Sequence, residues 1–305
     1  MATERDFLRN LQQQFPPRPP VLHGIGDDGS IVDTSGHDRE VVVADMLLDG
    51  VHFDGRITPP NLIGRKALAV NISDLAAMGC RPTAAYICLA IPRGTADRFL
   101  AGVYDGLQLL ADEFDCHIAG GDTNSWEGPF VISVTVTGIP FGDRIPLRSQ
   151  AQDGDFVCVT GPLGGSLPSD RHLTFVPRLA ESRSLLQQTA VNAMMDISDG
   201  LSLDLSRLAE ASGVGAVLEA EQIPIHVDVD AALTDRQRLQ HALHDGEDFE
   251  LLVTLPEDPR QLSRSVPLDV PLFPIGRITS AREGVWLQTA AEIQPLRPDG
   301  WQHSV

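Results

Sequence analysis

Carboxylates stand in this chain at positions where an unpaired charge is costly, and that narrows what the chain can become. Asp45 lies in the apolar run Val41–Leu48, Asp74 sits inside the otherwise apolar segment Asn61–Met78, and Asp122 ends a short strand-like stretch. Each would lose the hydration of its charge on folding unless a cation or hydrogen-bond donors met it. Further acidic residues stand beside Gly or Ser in Gly26-Asp27-Asp28-Gly29, Ser73-Asp74, Gly120-Gly121-Asp122, Asp196-Ile197-Ser198-Asp199-Gly200 and Gly246-Glu247-Asp248. Singly, an Asp-Gly pair is a turn far more often than a metal site. As a set, these carboxylates suit magnesium, a hard cation that takes oxygen ligands and shares its shell with nucleotide phosphates. Glycine beside such a ligand lets backbone approach a phosphate closely.

The periodicity around these positions mixes helix and strand. A short helix is expected in the first twenty residues, halted by the Pro16–Pro20 cluster. Strands are expected at Val41–Leu48, Thr83–Ile91 and Phe130–Thr137, with helices over Asn61–Met78 and Ala96–Phe114. The polar stretch Phe141–Asp155 makes the best domain boundary, dividing residues 1–145 from 146–305. Beyond it, strands are expected at Phe156–Thr160, Ala216–Glu219, Phe249–Leu255, Pro274–Ile278 and Val285–Gln288, with a helix at Leu201–Ala211. Without strict βα alternation, two α+β domains are favoured over a doubly wound sheet. Asp204 and Arg207 read as a solvated helix face, Met194 and Met195 as core filler, and Arg171, His172 and Arg178 as a basic cluster near a phosphate or at the surface.

The net charge of −19 disfavours nucleic acid and anionic membranes as partners. In such a chain an anionic ligand needs cations between it and the protein. The four cysteines show no CxxC pairing and read as free thiols, and no stretch approaches a membrane span, so a cytoplasmic protein is expected. A GxxxxGK[ST] loop, a protein-kinase catalytic loop and a strand-borne GxGxxG are all missing, so ATP chemistry here needs a different cradle.

GIGDDGSIV, VVVADMLLDGVHF, GRKALAVNISDLAAMGCRP, AGGDTN, MMDISDGLSLDL and DGEDFELLVT follow one another in this order from about Gly24 to Trp301. Together they resemble the thiamine-monophosphate kinase family, of the superfamily that includes aminoimidazole ribonucleotide synthetase. The resemblance implies an α/β fold of the α+β type, its N-terminal domain pairing into a dimeric β-barrel and its C-terminal α/β domain completing a cleft. It implies ATP and thiamine monophosphate as ligands, a homodimer, and several magnesium ions held by Asp28, Asp45, Asp74, Asp122, Asp196 and Asp199. Tyr104, Gly121, Asp122, Arg148 and Ser198 would meet the nucleotide, and His52, Glu247 and Trp301 the thiamine phosphate. Three departures bear on the acceptor. Ala44 replaces a hydroxyl residue, Asp49 a Glu, and the stretch after Gly165 is short.

The expected reaction is in-line transfer of the ATP γ-phosphoryl group without a general base. A monoester's second pKa of about 6 leaves the acceptor oxygen largely ionised. Outside the resemblance His52 would read as a hydrogen-bonded core histidine. Two alternatives stay open: another ATP- and magnesium-dependent enzyme of the superfamily, or a non-catalytic nucleotide-binding homologue.

Overall fold

A computed structural model describes residues 21–23, 27–28, 30–34, 38–261 and 271–302. The helix expected in the first twenty residues lies outside them, as do Gly26 and Gly29. The N-terminal half contributes β1 (Val21–His23), β2 (Ser30–Thr34), β3 (Asp38–Leu48), β4 (Cys80–Pro92), β5 (His117–Trp126) and β6 (Val131–Pro140), with helices α1 (Pro60–Ala77) and α2 (Asp97–Glu113). Its six strands run β1-β2-β3-β6-β4-β5. Every pair is antiparallel except β4–β5, whose parallel pairing needs the crossover that α2 supplies. The sheet is open in the single chain, with β1 and β5 at its edges.

After residues 141–155 the chain builds a second sheet from β7 (Phe156–Val159), β8 (Ala193–Asp196), β9 (Gly215–Glu219), β10 (Leu251–Leu255), β11 (Phe273–Thr279), β12 (Gly284–Gln288) and β13 (Ile293–Pro295). Their order is β13-β12-β9-β11-β7-β10-β8, with β9–β12 the parallel pair. Helices α3 (Arg171–Thr174), α4 (Leu179–Gln188), α5 (Leu201–Ser212) and α6 (Asp235–His244) belong to this half. Two mixed sheets, each with its own apolar core, make the α+β pattern expected from the sequence. Among the described residues, no helix is long and apolar enough to cross a membrane.

One helix touches both halves. Pro60 fits the first turn of α1, where a missing N–H breaks no bond, and Gly79 ends it in the left-handed conformation at φ +66°. Thirteen of its eighteen residues are buried on all sides, as a helix without an apolar stripe must be. It packs on β3, β4 and β6, on α2, and on α3, α4 and β8 of the second half. The α1–α2 contact is backbone against backbone. A Cβ on Gly64 would lie 1.9 Å from the Val103 carbonyl oxygen, and one on Gly106 would lie 1.8 Å from that of Asn61.

Gly106→Ala is therefore expected to destabilise the protein by about 1–3 kcal/mol, although alanine is the better helix former by about 1 kcal/mol. Urea unfolding checks this: the midpoint should fall with the slope unchanged. A midpoint at or above that of the wild type would show that the helices are not in that contact.

Candidate active site

The halves meet around α1 at a cleft of about 270 Å³. Asp28, Asp74 and Asp196 converge there, each offering an oxygen within 4.8 Å of the others. They come from different places: the segment after β1, the cleft side of α1, and the end of β8. Asp45 on β3 lines the same cleft close to Asp74. Loss of water, then the charge of Asp196, pushes Asp45 up to about 6. Burial, then Asp45 and Asp196, raises Asp74 well above the ordinary carboxylate range, and burial raises Asp196. Ser73, one residue before Asp74, donates to Asp196 at 2.6 Å.

Arg148 closes one side of the cluster. Its backbone N–H donates to Asp27 at 3.1 Å and its guanidinium grips both oxygens of Asp28. Ser198 and Asp199 line the cleft on the loop between β8 and α5. Arg207 pairs with Asp199 and, at 2.9 Å, with Asp204. Asp204 is not the solvated residue expected from its helical spacing. It is fully buried and accepts the Asp199 and Gly200 N–H groups at 3.0 and 3.2 Å, so it shapes that loop.

His52, Glu247 and Trp301 line the same cleft. His52 sits in the turn after β3, where its Nδ1 accepts the Leu48 N–H at 3.1 Å. Trp301 donates its backbone N–H to Asp199 at 3.1 Å. Glu247 holds a left-handed conformation at φ 56°, costly for a residue with a Cβ, locked by bonds to Ser198 and Ser166. The missed residue is Lys66. Its fully buried ammonium lies 2.6 Å from Glu247, 2.9 Å from His172 Nδ1 and 2.9 Å from the His52 carbonyl oxygen. A lysine in an apolar helical pattern is the signal that could have found it. Arg171, His172 and Arg178 are likewise not a free basic patch. Arg171 pairs with Asp228 and Asp248, and Arg178 pairs with Glu250. The short stretch after Gly165 places Leu167 in the cleft wall.

Three expected nucleotide residues stand elsewhere. Gly121 and Asp122 lie on the exposed edge strand β5, and Tyr104 is exposed on α2. Across β3, β6, β4 and β5 there are three strand spacings, so Asp122 sits about 14 Å from β3 within one chain.

Family models describe residues 26–140 as the N-terminal domain, and 152–286 as the C-terminal domain, of AIR synthase related protein. The thiamine-monophosphate kinase of Rhodopirellula baltica is 38% identical over 310 residues, spanning 98% of this chain and 97% of that protein. The chain belongs to the thiamine-monophosphate kinase family. In structure it is similar to AaThiL complexed with AMPPCP and TMP, at TM-score 0.83 and 28% identity over 99% of this chain and 97% of that one. The thiamine-monophosphate kinase from Stenotrophomonas maltophilia K279a, 34% identical, gives 0.73 over 94% and 95%.

For a thiamine-monophosphate kinase family member the donor set suits magnesium. The converging carboxylates are hard oxygen ligands short of positive charge, and burial and neighbouring carboxylates raise the pKa of Asp45 and Asp74. This has a measurable consequence. With a folded pKa above the unfolded one, Asp45 favours the fold most below about pH 4, and that contribution is lost as pH rises through 6. At pH 7.5 without divalent cations, Asp45→Asn should gain about 1–3 kcal/mol, or a few degrees in Tm. The gain should vanish near pH 4, and magnesium should stabilise the wild type more than the variant. A drop in Tm at pH 7.5 would refute the charge argument.

Proposed function

We propose that this chain transfers the γ-phosphoryl group of ATP to the phosphate of thiamine monophosphate, giving thiamine diphosphate and ADP. The observation that carries the reading is one cleft lined both by the converging carboxylates and by Glu247, His52 and Trp301. Asp28, Asp45, Asp74 and Asp196 would hold magnesium, with Asp199 and Asp122 further ligands. Bound there, magnesium offsets the charge of both phosphates. Arg148 and Ser198 would hold the nucleotide, with Tyr104 and Gly121 assigned to the same task. His52 and Glu247 would orient the thiamine phosphate, and Trp301 would stack on its ring. The acceptor oxygen is already ionised near neutral pH, so no side chain needs to remove a proton. Catalysis then rests on holding two anionic groups in line in a cleft that limits water.

We assign residues 1–145 to nucleotide binding and dimerisation, and 146–305 to completing the cleft. The N-terminal sheet buries one face and exposes the other, which carries Met46 and Tyr86, 54% and 44% exposed. A second copy set against this face and the β5 edge would cover both, and would bring another chain to Gly121 and Asp122.

ATP, magnesium and thiamine monophosphate should yield ADP and thiamine diphosphate, and EDTA should abolish the yield. Asp74→Asn and Asp196→Asn should each lower kcat by about a hundredfold or more. Nucleotide binding without thiamine diphosphate would overturn the choice of acceptor. Separately, sedimentation should give twice the mass of one chain, and a monomer would remove the proposed second copy.

A further inference from the structure

A lysine shut wholly away from water needs a reason. Replacing a buried ion pair by apolar side chains of similar size is often neutral or stabilising, so stability alone would favour methionine at position 66. Lys66 has three ammonium protons; the ammonium donates to the His52 carbonyl oxygen at 2.9 Å, meets His172 Nδ1 at 2.9 Å, and forms an ion pair with Glu247 at 2.6 Å. With the lysine donating, His172 Nδ1 is the acceptor and its proton sits on Nε2. His52 belongs to the first domain, and His172 and Glu247 belong to the second. Two of the three, His52 and Glu247, also line the cleft.

The helix adds a second constraint. Lys66, Val70 and Asp74 fall at i, i+4 and i+8, one face of α1, and Val70 and Asp74 line the cleft. Eight residues of helix span about 12 Å. One rigid rod thus carries the carboxylate cluster at one end and the lysine at the other.

We propose that Lys66 is a positioning residue for the phosphoryl acceptor: its buried ammonium ties the His52 turn to Glu247 across the domain boundary and sets their distance from Asp74. The inference rests on the reading of Glu247 and His52 as the acceptor end. Lys66 touches no substrate; it acts through those two residues.

The test compares wild type, Lys66→Met, Lys66→Arg and His172→Ala in the full chain, measuring Tm and both KM values. Lys66→Met should raise the KM for thiamine monophosphate by about ten- to a hundredfold while the KM for ATP stays within about twofold. Lys66→Arg should fall between, because it keeps the charge but presents a planar fork instead of three donors around one point. His172→Ala should shift the acceptor KM in the same direction. If Lys66→Met does not fold, Lys66→Arg and His172→Ala carry the comparison. A lowered Tm with both KM values unchanged, or with both shifted alike, would overturn the role. A wild type that makes no thiamine diphosphate would sink the reading of the acceptor end, and the role with it.

Discussion

Aspartates held within 4.8 Å of one another repel, and the organisation of the cleft follows from how the chain holds them there. Two ionised carboxylates at that separation oppose each other by about 3–4 kcal/mol at a surface-like dielectric. A domain's whole stability is about 5–15 kcal/mol, so the cluster is a large local debt. Asp74 and Asp196 stand on elements of two different cores, so neither can withdraw without disturbing one. Arg148 answers Asp28 and the Ser73 hydroxyl answers Asp196, while burial and their neighbours push the Asp45 and Asp74 carboxyls up in pKa. What remains is an excess of negative charge at one point of a chain whose net charge is −19.

Helix α1 is the means of holding them. Most helices bury one stripe; this one is enclosed by the first sheet, α2 and the second domain. That enclosure fixes the position from which Asp74 reaches the cleft, and it also removes the amphipathic pattern. Glycines at 64 and 106 let α2 approach until backbone meets backbone, so the rod has little room to shift. The core and the site are therefore one structure seen from two sides.

Much of this was legible in the residues. Periodicity located α1, α2, α5 and most central strands, and the Asp-bearing motifs marked Asp45, Asp74, Asp196 and Ser198, which do meet in the cleft. Other elements were hidden for physical reasons. Strand β8 is four residues, Ala193–Asp196, too short to show a period, so Met194 and Met195 read as filler. Helices α4 and α6 are rich in polar residues and take their place from tertiary packing, which propensity does not reveal. Gly138 looked like the end of a strand, yet β6 runs on to Pro140, and the missing side chain makes room for Leu75. Charged pairs were the least visible. Lys66 with Glu247, Arg171 with Asp248 and Arg178 with Glu250 join residues some 70 to 180 positions apart, and no local pattern encodes such a match.

Strand β5 is where one chain falls short of its own motifs. Gly121 adopts φ +151°, and a Cβ there would lie 1.7 Å from the Ile87 carbonyl oxygen, so only glycine fits. Yet the strand so constrained is a ten-residue edge, almost wholly exposed, with half its backbone donors and acceptors facing outward. Long exposed edges invite pairing with other chains, and proteins shorten, charge or cover them. This one carries Asp122 at its middle, about 14 Å from the strand that bears Asp45. A carboxylate at that distance cannot share a cation with Asp45 inside a single chain, since magnesium binds its oxygens at about 2 Å. The proposed second copy resolves both difficulties at once: it covers the edge, and it offers Asp122 ligands from another chain.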